Sequence, residues 1–504
     1  MKAFLMYPDR DFDPAAELPG NAPELLQDLE LTPIIEAMAR GDAYLADVTR
    51  KAILLSLRDP AEIRYRQAIL RDCLTHPDVV RAMYALALET INARRREFLG
   101  IFTNHPSSIV YSSVKILRLL LDQLRQLKQL IDERAGAFES QGLVRLVAML
   151  RRELDDNYFA EVQRHLQALS FRDGVLLSAE LGRGNIITGY VLRKRHDPPQ
   201  NWMERLFAPE APGHTFYLHP RDEAGARALA EIEDRGLNAV ANALAQAADH
   251  ILSFVTMLRL ELAFYVGCLN LYDQVTQIGM PLTLPEVAAP GAGRHRFTRL
   301  YDLSLALTMD APVTGNDVNA DGKALVMITG ANRGGKSTFL RSIGQAQLLL
   351  QCGMFVPAES FCASSCTGVF THFKRREDAT MQSGKLDEEL SRMSTLVDQL
   401  APGALILFNE SFAATNEREG AEIARQITVA LLERRIRICF VTHLYEFARQ
   451  MYAQNDDRML FLRAPRQAAD VEPFKLIVGA PLPTSYGEDV YRRVFGAAEP
   501  VAAG

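Results

Sequence analysis

The segment Gly330-Ala331-Asn332-Arg333-Gly334-Gly335-Lys336-Ser337 constrains this chain more than any other. It spells G-x-x-x-x-G-K-[ST] in full. The apolar run Ala324-Leu325-Val326-Met327-Ile328-Thr329 stands directly before it, in a buried-strand pattern. After it Phe339, Leu340, Ile343, Ala346 and Leu349 recur at helical spacing. A strand that turns through glycines into a helix aims backbone N–H groups and the positive end of the helix dipole at one point, and phosphates suit that point. ATP or ADP is the expected ligand; Lys336 should bridge the β- and γ-phosphates of ATP, and the Ser337 hydroxyl should ligate Mg²⁺.

Two further strands point the same way. Ala404-Leu405-Ile406-Leu407-Phe408 ends in Asn409-Glu410. In P-loop ATPases an acidic pair follows such a strand. The first acid holds the hydration shell of the magnesium ion, and the second orients or deprotonates the attacking water. Here Glu410 is present, but Asn409 takes the first place. Its amide can hydrogen-bond a metal-bound water yet brings no negative charge. The strand from Ile436 to Val441 ends in Thr442-His443, and a His there can contact a γ-phosphate. From residue 301 strands alternate with helices, the pattern of an α/β domain.

The upstream part reads differently. Residues 22 to 170 are mostly helical by periodicity. Val114, Leu117, Leu121, Leu124, Leu127 and Ile131 mark one face, and Asp59-Pro60 opens a helix. Gly174 to Glu180 and Ile186 to Arg193 read as a hairpin around Gly182-Arg183-Gly184-Asn185, with Thr215 to Leu218 as a further strand. From Asp222 to about Tyr272 the chain returns to helix. Leu237, Val240, Leu244, Ala248, Ile251, Val255, Leu258 and Leu262 lie on one face, and a break is possible at Gly225 or Gly236. Pro281 to Gly293 is rich in Pro, Gly and Ala and reads as a linker.

Composition excludes several classes. Net charge is −6, so no global basic footprint argues for nucleic acid, and any such contact must be local. Arg94-Arg95-Arg96 and Arg193-Lys194-Arg195-His196 are the local candidates, although a short basic run is more often a solvated face. Six cysteines in 504 residues do not make a disulfide framework, and Cys362 and Cys366 lack a second Cys/His pair to complete a zinc site. Residues 1 to 20 carry Asp9, Asp11 and Asp13 and no signal-like apolar run, and no stretch of 18 apolar residues is apparent. A cytoplasmic protein with no membrane segment is expected.

Taken together, these segments resemble the MutS DNA mismatch-repair family. Gly330 to Ser337 with the trailing Thr338 looks like that family's P-loop, including Asn332 within it. Ser383-Gly384-Lys385-Leu386-Asp387-Glu388 resembles its signature loop, Leu405 to Gly420 its Asp-Glu strand and following loop, and Val441-Thr442-His443 its Thr-His switch. Ser485-Tyr486-Gly487 resembles the Ser-Tyr-Gly near its C-terminal dimerisation helices. More weakly, Leu57 to Ile63 with Arg66-Gln67 resembles the start of its helical core, and Asn185 to Arg193 with the long helix after Asp222 its clamp and returning lever.

The resemblance implies a multidomain α and α/β protein. After an N-terminal segment (1–24) it places a helical core and lever (25–300) with a small β clamp-like insert at about 171–221. A P-loop, ABC-type ATPase domain with C-terminal dimerisation helices (301–504) follows. It implies a homodimer in which Ser383 and Glu388 of one subunit complete the nucleotide site of the other, with Gly330 to Thr338 and Asn409 on the nucleotide. Lys336, Glu410 and His443 would carry the chemistry, and magnesium would sit on Ser337 and, through water, on Asn409. Double-stranded or branched DNA is the implied partner, with Arg193, Lys194 and Arg195 as candidate contacts. The family's mismatch-recognition and connector domains find no room before residue 25. Phe159-Ala160-Glu161 has the spelling of its mismatch-reading Phe-x-Glu but sits in a predicted helix. An ATP-gated interaction protein that does not act on DNA is the alternative, with Asn409 as its basis.

Overall fold

The computed structural model describes residues 1–98, 106–134, 136, 138–171, 174–193, 214–331, 333–375, 384–465 and 474–482. They fall into two compact units. One comprises Met1–Ala3, Arg81–Gly136 and Arg145–Arg259; the other comprises Phe4–Val80, Ala137–Val144 and Leu260–Gly504.

Among the described residues, the regular structure of the first unit is helical apart from one hairpin. It contains most of α5 (Pro77–Phe98), α6 (Pro106–Arg134), most of α7 (Gln141–Glu153) and α8 (Asp156–Ala168). In α6 the residues from Val114 to Ile131 that recur at helical spacing are buried, so the apolar face found in the sequence is the one that packs. Helix α8 starts where the Asp155 carboxylate accepts Tyr158 N–H at 2.7 Å. Phe159 is a buried residue of this helix with the Arg125 guanidinium 5.0 Å from its ring, so it packs in the core and is not displayed as a wedge.

Strands β1 (Leu177–Leu181) and β2 (Ile187–Leu192) pair antiparallel across a turn that Gly184 enters at φ 73°. Thr215 to Leu218, expected as a strand, belongs to none. Phe216 and Tyr217 are 89% and 85% exposed, and without a pairing partner aromatic content does not make a strand.

Helix α9 (Glu223–Ile278) runs unbroken for 56 residues, a contour of about 84 Å at 1.5 Å per residue. Neither glycine interrupts it. At Gly236 an added Cβ would fall 2.4 Å from the Leu177 side chain, so this glycine lets the hairpin close onto the helix. The expected apolar face is buried except at half-buried Val240. An 18-residue window of α9 is apolar enough by length and composition to cross a membrane, contrary to the sequence reading. However, 78% of that window is buried within the protein, which is the environment of a core helix.

The second unit begins with α1 (Ala22–Asp28), α2 (Thr32–Ala39), α3 (Ala43–Leu54) and α4 (Pro60–Thr75). Pro60 opens α4, and the Asp59 carboxylate accepts Ala61 N–H at 2.8 Å. The residues before α1 are anchored by the buried Glu261 carboxylate, which accepts Leu5 N–H at 2.6 Å and Phe12 N–H at 3.0 Å.

Two sheets follow. The smaller has the order β3-β7-β4-β5, from β3 (Glu286–Ala288), β4 (His295–Leu300), β5 (Asn316–Asn319) and β7 (Ser360–Ser364). The expected linker at 281–293 therefore contains a strand: β3 is only three residues long and is held by parallel pairing with distant β7. Helix α10 (Leu303–Met309) lies between β4 and β5.

The larger sheet has the order β12-β11-β6-β10-β9-β8. It is parallel from β11 (Met459–Ala464) through β6 (Leu325–Gly330), β10 (Arg437–Val441) and β9 (Leu405–Asn409) to β8 (Val369–Phe373), and β12 (Ile477–Val478) is an antiparallel edge. Helices α11 (Lys336–Gln351), α12 (Lys385–Val397), α13 (Glu417–Glu433) and α14 (Tyr445–Ala453) accompany it. Its central strands are buried along almost their whole length, and Phe408 stacks on Phe440 at 4.7 Å between neighbouring strands.

Candidate functional site

Parallel strands end at the same edge of a sheet, and ligands of such sheets bind there. Val441 of β10 stands opposite Asn409 of β9 on one side and Ile328 of β6 on the other. That register places three separate segments side by side: the loop 330–337 after β6, Asn409-Glu410 after β9, and Thr442-His443 after β10. Backbone bonds fix the last two, Glu410 N–H to Val441 O at 2.9 Å and Thr442 N–H to Ile328 O at 3.0 Å.

The loop itself requires glycine. Gly330 holds φ 106°, and a Cβ there would come 2.4 Å from the Ala464 carbonyl oxygen of β11; Gly335 enters α11 at φ 77°. The result is a cradle open to a phosphate at the first turn of a helix. Lys336 folds back into it, donating from Nζ to Gly330 O at 2.9 Å and Ala331 O at 2.8 Å. Burial pushes this ammonium below its ordinary value, and nearby Glu410 works in the opposite direction. The Ser337 hydroxyl donates to Asn409 Oδ1 at 2.9 Å. One hydroxyl, one neutral amide and one carboxylate are thus gathered beside the cradle. They fit a small hard cation that draws its remaining oxygen ligands from phosphate and water.

The cradle opens into a cavity of about 480 Å³. One wall is the loop from Arg333 to Phe339 with Glu410. The other comes from residues that motif reading did not single out, including Tyr301, Met309, Val313, Asn316 and Phe474. That wall is tied to α11. Arg341 bonds the Asp302 carboxylate through Nε at 2.8 Å, and Gln345 donates to Asp302 Oδ1 at 2.9 Å. Asn316 clasps the segment around Phe474, its Oδ1 accepting Leu476 N–H at 2.7 Å and its Nδ2 donating to Phe474 O at 3.3 Å. A half-apolar wall opposite a phosphate cradle has the character of a seat for a planar base.

Gly334, Gly335, Lys336, Ser337, Thr338, Arg333 and Glu410 line the cavity. Asn409 touches it through Ser337. His443 is exposed at the end of β10 and is not in the lining, whereas its neighbour Thr442 is buried and accepts Leu444 N–H at 3.0 Å. Glu388 is half-buried in the first turn of α12. In the other unit Arg193 is exposed and donates to Ser178 Oγ at 2.7 Å within the hairpin, and Arg94 pairs with Asp249 at 3.1 Å. Asn332, Ser383, Lys194, Arg195 and Ser485-Tyr486-Gly487 lie outside the described residues.

Comparison with known proteins matches residues 58–278 to the MutS2 N-terminal domain and residues 326–501 to MutS domain V. Among curated relatives, the DNA mismatch repair protein MutS of Thermus aquaticus is 30% identical over 166 residues, 33% of this chain and 20% of that protein. Its counterpart from Thermotoga sp. (strain RQ2) is 33% identical over 132 residues, 26% of this chain and 17% of that protein. The one from Chloroflexus aurantiacus (strain ATCC 29366 / DSM 635 / J-10-fl) is 31% identical over 144 residues, 28% of this chain and 15% of that protein. The chain thus spans a fifth or less of the length of these relatives. Matched along both its helical part and its α/β part, the chain belongs to the MutS family.

Proposed function

We propose that this protein binds and hydrolyses ATP and works as a dimeric, DNA-binding clamp in repair or recombination, without reading mismatches itself. The observation that carries the ATPase reading is the set of residues at one sheet edge: the glycine cradle, Lys336, the Ser337–Asn409 bond and Glu410 beside the lysine.

In this reading the loop amides and the first turn of α11 hold the phosphates, and Lys336 leaves its two carbonyl partners to bridge the β- and γ-oxygens. Ser337 Oγ, and through water Asn409, would hold a magnesium ion, which would neutralise phosphate charge. Glu410 takes the proton of the attacking water, and His443 turns in toward the γ-phosphate. Ser383 and Glu388 of the partner subunit complete the site. The domain plan is an N-terminal segment (1–24), a core and lever (25–300) with a clamp at 171–221, and an ABC-type ATPase domain (301–504) ending in dimerisation helices.

The DNA role draws on the relatives, which are named as DNA mismatch repair proteins. Arg193, Lys194 and Arg195 would meet phosphates, which orient a duplex and carry no sequence information. A second reading, an ATP-gated interaction protein that does not act on DNA, is favoured by Asn409 and by the apolar hairpin, where Leu181 is 73% and Ile186 64% exposed.

One binding panel separates the two: homoduplex, G·T mismatched, branched and single-stranded DNA, each with and without ATP. Salt-sensitive duplex or branch binding with no mismatch preference supports the clamp, and no DNA binding at low salt refutes it. Dimeric sites are tested by mixing Lys336→Ala and Ser383→Ala subunits, each expected to be inactive alone. A heterodimer then has one intact site and recovers part of the turnover if the sites are completed in trans.

A further inference from the structure

Glu410 and Phe412 both hold left-handed backbone, φ 55° and 63°. A bulky L-residue stays in that region only where its surroundings hold it. Here the restraints come from three sides. Behind the turn, Glu410 N–H is bound to Val441 O on β10 at 2.9 Å. Beneath it, Gly420 leaves room for the Phe412 carbonyl oxygen, which a Cβ would approach to 2.4 Å. From the side, the Glu389 carboxylate on α12 accepts Phe412 N–H at 2.7 Å.

His372 at the end of β8 joins the same set. Its Nε2 lies 3.1 Å from the Glu389 carbonyl oxygen and its Nδ1 2.8 Å from Ser411 Oγ. A carbonyl only accepts, so Nε2 carries the proton and donates. The imidazole stacks on the Phe412 ring at 5.3 Å and 18°. Glu389 is 6% exposed, and His372, Ser411 and Phe412 are fully buried. A carboxylate is costly to bury unless its oxygens find donors, and one of those donors is the N–H two residues beyond Glu410.

We propose that Glu389 is a positioning residue for Glu410, acting through the backbone of the 410–412 turn, with His372 as a second strut. The inference rests on the ATPase reading and adds the element that sets the catalytic carboxylate. Without the Glu389 contact, the turn relaxes toward right-handed backbone and swings the Glu410 carboxylate off the water, while the phosphate cradle is untouched.

The test is steady-state ATP turnover, nucleotide affinity and amide hydrogen exchange over residues 408–414, for the full chain and its variants. Glu389→Ala is expected to lower kcat about 100-fold, the cost of a misplaced catalytic group, while KM and ADP affinity stay within about twofold. Exchange over 408–414 should quicken. Glu389→Gln keeps an oxygen acceptor of the same reach and should restore kcat to within about threefold of wild type. Ser411→Ala, which cuts only the His372 link, should lower kcat about tenfold, and it serves if Glu389→Ala does not fold. Wild-type kcat in Glu389→Ala, or a Gln variant no better than Ala with affinity and melting temperature lost in step, overturns the positioning role alone. A wild-type protein without turnover that depends on Lys336 overturns the ATPase reading, and this role with it.

Discussion

The loop edge of the larger sheet and the β1–β2 hairpin, described as far as Arg193, each bear residues that the sequence marks for contacts, and they are built in opposite ways. At the sheet edge, residues from three distant segments are locked by parallel register. Val441 alone fixes Asn409 on one side and Ile328 on the other. In the hairpin, Arg193 stands on a two-stranded ribbon whose side chains are exposed or half-exposed, and its own partner, Ser178, is on the neighbouring strand. Phosphoryl transfer needs groups held to a fraction of an ångström. A phosphate backbone met from outside needs only charge within reach. The contrast teaches that the residues proposed for phosphoryl transfer are fixed by long-range pairing and burial, whereas Arg193 is held only by its own hairpin.

The most direct way to break this comparison is Lys336→Ala. Turnover should fall about 100- to 1000-fold, as when one preorganised donor is removed from a developing charge. A variant with unchanged turnover in a phosphate-release assay would show that the chemistry lies elsewhere. Glu410→Gln should lower turnover about 100-fold while ATP stays bound, because shape is kept and the base is lost. A parallel loss of ATP affinity in filter binding would instead give Glu410 a binding role.

Acid should weaken the sheet-bearing unit through two histidines, with Glu261, whose carboxyl burial raises to about 7, working in the opposite direction. Burial holds His372 down to about 4 and His295 down to about 3. The unfolded chain takes up these protons near pH 6.5, and the folded one does not. Their contribution to stability is therefore complete above pH 6.5 and is lost as pH falls through those values. The slope reaches up to about 1.4 kcal/mol per pH unit for each histidine. Denaturant midpoints at pH 7.5 and 5 measure this, and a flat profile would mean that other groups offset it.

Asn409→Asp sharpens the comparison on a smaller scale. It places a charge beside Ser337, and turnover or magnesium affinity should rise severalfold, roughly the 1 kcal/mol range of a single added ionic contact. An unchanged magnesium titration would mark Asn409 as compensated. The smallest effect on turnover belongs to the hairpin. Neutralising Arg193, Lys194 and Arg195 should leave ATP hydrolysis alone and flatten the salt dependence of duplex binding by about 0.9 per lost phosphate contact. A change in basal turnover would remove the separation drawn above.

What could be read from sequence follows the range of the interactions involved. The 330–337 loop is contiguous, so glycine, lysine and serine are recognisable together, and the stripes of α6 and α9 each repeat within one helix. The opposite wall of the cavity joins Met309, Asn316 and Phe474 across 165 positions, with no spacing rule to unite them. Strand β3 exists only because β7 pairs with it, so its Pro, Gly and Ala surroundings read as linker. Glu389 was hidden for a related reason. Its partner is a backbone amide, which every residue but proline has, so no letter in the sequence marks the contact.

The burial of the thiols has a practical consequence. All six cysteines are free and buried, and all six fall in the unit with the sheets, none between residues 81 and 136 or 145 and 259. Desolvation raises them above the ordinary thiol range, Cys352 and Cys439 to about 12, so thiolate forms only when the surroundings open. A pulse of alkylating reagent therefore acts as a clock for the sheet-bearing unit and is silent on the other. Intact masses that jump from no label to six describe a single cooperative opening. A ladder in which Cys362 is modified before Cys439 on β10 describes a smaller sheet that opens ahead of the larger.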